Sequence, residues 1–268
     1  MTTETMMTRC LDALEMMSTE PQGLSLTVIS NKLNLLKSAA HRLVKELEHE
    51  GFVVQAQDSQ HYKLTTRFAT LGFEHLAAIG VGDASKQSLM QLASKTGELV
   101  RMALVDEDRL TWVSKAQGAS SGLRFDPEMG VDVRLKTTAS GRIWLSTFGA
   151  DGVYSILSKN EMNSITVNKI ETFKKNKKFF LELDRTKARG YGISIDEDEL
   201  GMSAIAVNIF HPTKMNWVIG TVSVAGPTAR LQLKHLEAYI NPLQKTASIL
   251  SSAWPNLGQM DSFKTQKE

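Results

Sequence analysis

The side chains of this sequence with the clearest chemical pattern lie between residues 36 and 54. Lys37, His41 and Lys45 recur every fourth residue, which places them on one face of a helix. The apolar residues of the same stretch fall on another face: Ala40, Leu43, Val44 and Leu47. A basic stripe of this kind can bind the phosphate groups of a polyanion, or it can be a solvated helix surface.

Elsewhere the sequence holds no pattern typical of catalysis or metal binding. The six histidines are scattered without metal-ligand spacing, and Cys10 is the single cysteine. The acidic run at 196–199 could imitate a catalytic carboxylate pair, but we interpret it as a surface loop before a strand. Neither a nucleophile elbow nor a phosphate-binding glycine loop is present. We therefore expect a protein that is not an enzyme, with no metal and no cofactor.

Length and composition predict a globular protein of two domains. A chain of 268 residues is long for one core, and 42% hydrophobic with 22% charged residues is an ordinary globular composition. No apolar run approaches the roughly 20 residues that cross a bilayer, so no membrane partner is expected. The N-terminus lacks the pattern of a secretory signal, and a lone cysteine fits a reducing compartment. We expect a cytoplasmic location.

Net charge alone does not predict a nucleic-acid partner. The whole chain carries +2, while the first 66 residues hold six basic and eight acidic side chains, a net charge of −2. Any such function must depend on where the charges lie. Glu46, Glu48 and Glu50 fall in the C-terminal half of the stretch that carries the basic stripe.

The order of elements at 1–66 is that of a winged helix-turn-helix domain. A first amphipathic helix ends at the sequence TEPQG, and Ser25 can cap a second helix. The basic stretch forms a third helix that ends near Gly51, and FVVQ and HYKLT then form two short strands. Residues 67–82 follow as a linker helix.

Residues 83–253 read as a second domain of mixed helices and antiparallel strands, so the predicted fold class is α+β. In SAIAVNIF and WVIGTVSVAG, large aliphatic residues alternate with small ones. The large residues, Val218 included, should pack under helices and leave a face of small and hydroxyl side chains with room for a ligand. One C-terminal helix is expected over 231–253, followed by a tail at 254–268.

These stretches resemble the IclR family of bacterial transcription regulators. The resemblance is carried by LSLTVISNKLNLLKSAAHRLVKELEHEGFV with YKLT, MGVDVRLKTTASGRIWLS, RGYGISIDEDELGMSAIAVNIF and TVSVAGP, which occur in the family's order and spacing. It implies a dimer or dimer of dimers that binds an operator palindrome, with a GAF/profilin-like effector-binding domain. The sequence departs from the family pattern at Asn34, Leu36, Ala39 and Lys136.

The basic helix is therefore expected to read double-stranded DNA in the major groove, while the hairpin contacts the backbone or the minor groove. Arg42 could bind guanine or clamp a phosphate. The residues expected at the DNA interface are Ser25, Lys37, Ser38, Ala39, His41, Arg42, Lys45, Gln57, Gln60, His61 and Lys63.

By resemblance, one set of residues lines the effector pocket: Phe125, Val133, Ala139, Ser140, Ser194, Ala204, Ser223 and Ala225. Hydroxyls at one end and apolar contacts at the other suit a small organic acid. The helix that begins within KTTASGR could offer free N–H groups to an anion. Arg124, Arg134 and Lys136 could pair with a carboxylate or be exposed loop charges.

Two further features favour ordinary structural roles. Trp112, Trp144 and Trp217 are interpreted as core residues rather than ligand stackers. The lysines at 174–178 could form a second DNA patch, but a solvated helix face is the preferred interpretation.

The function expected from the sequence is a ligand-responsive repressor of a catabolic operon. The alternatives are an activator of the same family, an enzyme acting on a small carboxylate, and an architectural DNA- or RNA-binding protein without a ligand.

Overall fold

The computed structural model describes residues 5–78, 81–160 and 169–254. The chain divides into two compact units, Met1–Ala77 and Ala78–Glu268. Among the described residues, no helix combines the length and apolar character needed to cross a membrane.

The first unit has the predicted order of a winged helix-turn-helix domain. Its elements are α1 (Met6–Ser18), α2 (Leu26–Lys32), α3 (Lys37–His49), β1 (Val53–Gln55), β2 (Tyr62–Leu64) and α4 (Thr66–Ala78). Strands β1 and β2 form an antiparallel hairpin, and Leu24 pairs with Tyr62 beside it. Leu24 N–H donates to Tyr62 O at 3.0 Å, and Tyr62 N–H donates to Leu24 O at 2.9 Å. The chain before α2 therefore anchors the hairpin.

The core of the first unit draws apolar residues from three helices and the hairpin. Met17 of α1, Ile29 of α2, Leu43 of α3 and Tyr62 of β2 are all nearly inaccessible to solvent. Helix α3 ends where Gly51 takes a φ of +76°, a conformation that costs glycine little. The sharp turn there directs the chain into β1.

The second unit is a five-stranded antiparallel sheet with helices packed on it, which confirms the predicted α+β class. Its helices are α5 (Asp83–Thr96), α6 (Ala139–Leu145), α7 (Ala150–Asn160), α8 (Lys169–Arg189), α9 (Leu233–Ala238) and α10 (Ile240–Ala253). Its strands are β3 (Leu99–Asp106), β4 (Arg109–Gln117), β5 (Gly192–Ile195), β6 (Met202–Phe210) and β7 (Val218–Pro227). The strand order is β4-β3-β7-β6-β5.

The two faces of this sheet carry different side chains. Large aliphatics such as Ile205 and Val224 pack in one cluster with residues of α5 and α10. The opposite face carries small residues, and Ala206 packs there with Ala139 and Ile143 of α6. Because side chains alternate along a strand, the period-two pattern read from β6 and β7 divides the two layers in this way.

The prediction for Val218 was wrong. The pairing of β6 with β7 shifts between Ile209 and Phe210, so an extra residue stands in β7. As a result, Val218 packs with Trp112 and Trp144 on the other side of the sheet.

The single C-terminal helix expected over 231–253 is also corrected, because α9 and α10 are separated at Tyr239. Pro242 has no N–H to donate to the carbonyl of Ala238, so one continuous helix would lose a hydrogen bond there. Tyr239 N–H instead donates to Leu236 O at 3.0 Å, and Leu243 N–H donates to Tyr239 O at 2.9 Å. Of the predicted tail, residues 255–268 lie outside the described part of the chain.

Candidate functional site

Helix α3 presents a polar surface because its apolar face is fully used in the core. Ala40, Leu43 and Val44 are each 0% exposed. On the outer side, Ala39 is half-buried, and five polar side chains are exposed: Lys37, Ser38, His41, Arg42 and Lys45. The predicted DNA-contacting residues of this helix therefore lie together on one surface.

The start of α3 is set by the turn that precedes it. Asn34 takes a φ of +49°, which asparagine tolerates, and Leu35 N–H donates to Ser30 O at 2.8 Å. Ser25 Oγ accepts from Val28 N–H at 3.3 Å, so this predicted interface residue also caps α2. Leu36 caps α3 without a side-chain hydrogen bond and is 79% exposed.

Lys45 has an intramolecular partner that the sequence did not indicate. Its Nζ lies 2.6 Å from Glu48 Oε2, and Glu48 Oε1 also accepts from Gln55 N–H of β1 at 3.3 Å. The hydrogen bond between the two side chains raises the pKa of Lys45 and lowers the pKa of Glu48. Of the acids in the C-terminal half of α3, Glu48 therefore contacts a residue of the basic stripe directly.

The wing is the loop at 56–61 between β1 and β2. Gln60 adopts a φ of +57°, and its N–H donates to Ala56 O at 2.9 Å. Gln57 and Gln60 are exposed, whereas His61 and Lys63 are half-buried. Gln60 Nε2 donates to Gln57 O at 2.9 Å, so this amide stabilises the wing itself.

A small cavity of about 20 Å³ lies over the small-residue face of the second unit. Seven of the eight residues expected at the effector pocket line it: Phe125, Ala139, Ser140, Ser194, Ala204, Ser223 and Ala225. Val133 does not, and its predicted placement is corrected. Its N–H donates to Leu110 O at 2.6 Å, and its side chain packs in the cluster that holds Trp112 and Trp144.

Arg101 of β3 is a cationic residue of this cavity that sequence reasoning missed. The residue is 7% exposed, and its guanidinium carbon lies 3.8 Å from the Trp112 ring centroid and 5.4 Å from that of Phe125. Among the described residues, Nε of Arg101 has no hydrogen-bond partner. Burial lowers the pKa of Arg101 to about 10, so the side chain is still a cation at neutral pH.

Two hydroxyls on the cavity wall also lack partners within the described chain: Ser140 Oγ, in a residue 1% exposed, and Ser223 Oγ, in a residue 2% exposed. Ser194 differs, because its Oγ donates to Thr137 O at 2.6 Å. Buried polar atoms are normally hydrogen-bonded, and an unpaired one costs on the order of 1–3 kcal/mol. Unpaired groups around one cavity indicate a place for a polar ligand.

One of the N–H groups at the start of the helix within KTTASGR is taken by a side-chain cap. Helix α6 spans only Ala139–Leu145, and Thr138 Oγ1 accepts from Gly141 N–H at 3.0 Å. The small residues there instead permit close packing, because a Cβ on Gly141 would stand 2.3 Å from Leu135 O.

The acidic run at 196–199 forms a loop beside the cavity, as the sequence indicated, and Asp198 and Glu199 line the wall. Arg134 binds both of them, with Nε 3.0 Å from Asp198 Oδ1 and Nη2 3.3 Å from Glu199 Oε1. The buried Arg142 holds the same loop through Glu197, with Nη1 donating to Oε1 at 2.7 Å. These acids have structural partners, and within the described residues no cluster of His, Cys, Asp or Glu could hold a metal ion.

Two of the other predicted cations, Arg124 and Lys136, do not line the cavity. Arg124 is exposed and Lys136 is half-buried. Lys177 and Lys178 are exposed on α8, while the side chains of Lys174 and Lys175 lie outside the described part of the chain. Trp144 is buried in the core, as expected, but Trp112 both joins the core and contacts Arg101.

A sequence signal for Arg101 did exist. Within LVRMALV it is the one charged residue among apolar neighbours, where charges are rarely buried without a function. Six further cavity residues were not predicted: Trp112, Thr138, Asp198, Glu199, Met202 and Ser203.

Two family models match the chain. Residues 7–57 match the IclR helix-turn-helix domain, and residues 73–252 match the C-terminal domain of bacterial IclR transcriptional regulators.

Individual proteins are similar over nearly the whole chain. The DNA-binding transcriptional repressor YiaJ of Escherichia coli is 28% identical over 246 residues, covering 91% of this chain and 86% of the repressor. An IclR regulator from Alicyclobacillus acidocaldarius has a similar structure, with a TM-score of 0.74 and 23% identity over 94% of this chain and 100% of that one. An IclR homologue from Microbacterium hydrocarbonoxydans, in complex with 4-hydroxybenzoate, has a TM-score of 0.73 at 18% identity, covering 93% and 99% of the two chains.

Proposed function

The chain belongs to the IclR family of bacterial transcriptional regulators, and on that premise we propose that it represses a catabolic operon until a small organic acid releases it from its operator. The family and the relatives are regulators rather than enzymes, and several of the relatives are repressors. In this proposal the first unit reads DNA and the second unit senses the acid.

The surface of α3 supports the first half of the proposal. Lys37 and Arg42 are exposed near its N-terminal end, where a recognition helix reaches the bases of the major groove. Neither side chain has a hydrogen bond or ion pair among the described residues, so both are free for bases or phosphates. A groove contact from this end also explains how a domain of net charge −2 can bind DNA.

A palindromic operator requires two copies of the exposed polar face of α3, which we call the reading surface. The exposed helix α4 is the observation that supports self-association of the chain. None of its 13 residues is buried. Phe68, Leu71 and Phe73 are 46%, 48% and 71% exposed. A second copy of the chain packed on this helix would remove that apolar area from water.

The observation that carries the sensing half is the set of unpaired buried atoms at the cavity: Arg101 Nε, Ser140 Oγ and Ser223 Oγ. All three groups can donate to a carboxylate, and the guanidinium adds a positive charge. An architectural DNA- or RNA-binding protein without a ligand would not explain why these buried donors have no partners.

Operator binding is tested first by selecting fragments from the source genome that bind the purified full-length protein. The selected DNA is then titrated by gel shift with and without 4-hydroxybenzoate, the ligand of the Microbacterium relative, and a panel of short carboxylates. We expect at least one acid to release the DNA. Failure to select any fragment, or indifference of the complex to every acid, contradicts the proposal.

A further inference from the structure

We propose that Arg101 is the residue that selects the effector, and that it selects a molecule carrying a single carboxylate. This inference rests on the proposed function, because it assumes that the cavity is the effector site. It goes further by assigning the recognising residue and the charge of the ligand.

The first reason is that the positive charge of Arg101 is buried without a counter-ion at contact distance. The residue is 7% exposed, and among the described residues no carboxylate lies within ion-pairing distance of its guanidinium. The negative charges of Asp198 and Glu199 raise the pKa of Arg101, but burial lowers it by more, so these two acids only partly offset the cost of burial. A buried cation of this kind is costly to the free protein, and an entering carboxylate would neutralise it.

The second reason is the way the guanidinium is held. The Trp112 ring lies against it and the Phe125 ring lies near it, so aromatic surface replaces water there. The loop that carries Phe125 is tied to β4, because Gln117 Nε2 donates to the Phe125 carbonyl oxygen at 2.8 Å. The unpaired Nε therefore belongs to a side chain whose position is already fixed, and a fixed fork of N–H groups suits a carboxylate.

The third reason is the neighbour across the sheet. In the pairing of β3 with β7, Arg101 stands directly beside Ser223, whose Oγ is also unpaired. Side chains at paired positions are about 4.5–5.5 Å apart at Cβ, so one carboxylate can accept from both groups. Ala225 and Ala204, paired with each other on β7 and β6, line the same cavity with small side chains that do not fill the space beside the two donors.

The fourth reason concerns a second charge on the ligand. Asp198 and Glu199 line the same cavity, and their partner Arg134 keeps 60% of its side chain exposed. Because water screens the positive charge of Arg134, that charge only partly cancels the negative charges of Asp198 and Glu199. A dicarboxylate would place its second group in a cavity already lined by acids, so we expect it to bind more weakly than the matching monocarboxylate.

The test is a thermal-shift titration of the full-length protein with two matched probe sets. One set is benzoate, benzamide and terephthalate, and the other is propionate, propionamide and succinate, all at equal ionic strength. The variants are Arg101→Met, which removes the charge, and Arg101→Lys, which keeps the charge but loses the planar fork. Arg124→Met serves as the control, because Arg124 is exposed and stands outside the cavity.

We expect at least one of the two monocarboxylates to raise the Tm of the wild type, with no comparable effect of its amide or of the dicarboxylate. Affinity should fall about 10–100-fold in Arg101→Met, because the variant loses a charged hydrogen bond to the carboxylate. It should fall less in Arg101→Lys and stay unchanged in Arg124→Met. Without ligand, Arg101→Met should melt at or above the wild-type temperature, because it no longer buries an unpaired cation.

The inference is overturned if the amides stabilise as well as the acids, if Arg101→Met keeps the response, or if neither monocarboxylate shifts the Tm. If the amides raised the Tm as much as the acids, the assignment of the cavity as an effector site would remain supported, but the role of Arg101 in selecting a carboxylate would be refuted. Failure of the wild type to bind any genomic fragment would count against the proposed function and leave these melting data intact.

Discussion

Arg101 on β3 and Ser223 on β7 are paired across the sheet, and each carries a buried polar atom without a partner in the described chain. Both side chains point to the face on which Ala204 and Ala225 leave a cavity. An ordinary core would have paired or removed these two groups. Burying two unpaired polar atoms destabilises the ligand-free fold, and a bound ligand that accepts hydrogen bonds from both would remove that penalty.

Ser223→Ala should separate ligand binding from stability. Because Ser223 Oγ is unpaired, its removal should leave the ligand-free Tm unchanged or raise stability by up to about 1 kcal/mol, while weakening the binding of the active monocarboxylate. Ser146→Ala is the matched control. Ser146 Oγ donates to Ile143 O at 2.8 Å in an equally buried residue, so its loss should cost about 1 kcal/mol. A Ser223 variant that is destabilised yet binds the acid normally would contradict this account.

Arg42→Ala should abolish operator binding and leave the domain folded. The residue is exposed on α3, and no described residue pairs with it, so its removal breaks no contact of the fold. Gel shift measures the loss, and circular dichroism checks the fold. Lys95→Ala, an exposed basic residue of the second unit, should bind DNA like the wild type. Unchanged affinity of the Arg42 variant would refute its role.

Glu48→Gln should strengthen operator binding. The change frees Lys45 from its ion pair and removes a negative charge beside the reading surface, while the amide oxygen can still accept from Gln55 N–H. We expect higher affinity, with the slope of log K against log salt steeper by up to about one unit. Fluorescence anisotropy across a salt series measures both quantities. Weaker binding would show that Lys45 is needed in its paired position.

Acid should loosen the loop at 196–201 through Glu197. The hydrogen bond from Arg142 lowers the pKa of Glu197 from 4.5 in the folded chain, so the unfolded chain binds this proton more readily. The resulting stabilisation is present above pH 4.5 and is lost as the pH falls through the lowered value.

Glu197→Gln should therefore flatten the acid limb of the stability curve relative to the wild type. Urea unfolding between pH 3 and pH 7 measures this difference. Parallel curves for the two proteins would mean that Glu197 contributes nothing through its charge.

The sequence predicted the architecture well because local patterns determine it. Alternation in β6 and β7 separates large from small residues, and the two faces of the sheet follow from that period. The capping of α2 by Ser25 and the turn at Asn34 also depend on neighbours in the chain. Such features need no knowledge of distant contacts.

Features that depend on distant contacts were missed. Nothing local shows that Arg101 lies between a ring of the next strand and a ring of the following loop. The shift that moves Val218 to the other face arises from strand pairing, and a periodicity cannot reveal it. Val133 was placed by resemblance, but its packing with the cluster around Trp144 removes it from the cavity.

Release of operator DNA by a monocarboxylate, measured by gel shift for the wild type and for Arg101→Met, tests the central claim most directly. The acid used is the one that stabilises the wild type in the melting titration. We expect both proteins to bind the operator with the same affinity, and only the wild type to be released by the acid. Equal release of the variant, or a wild-type complex that the acid leaves intact, would contradict the account.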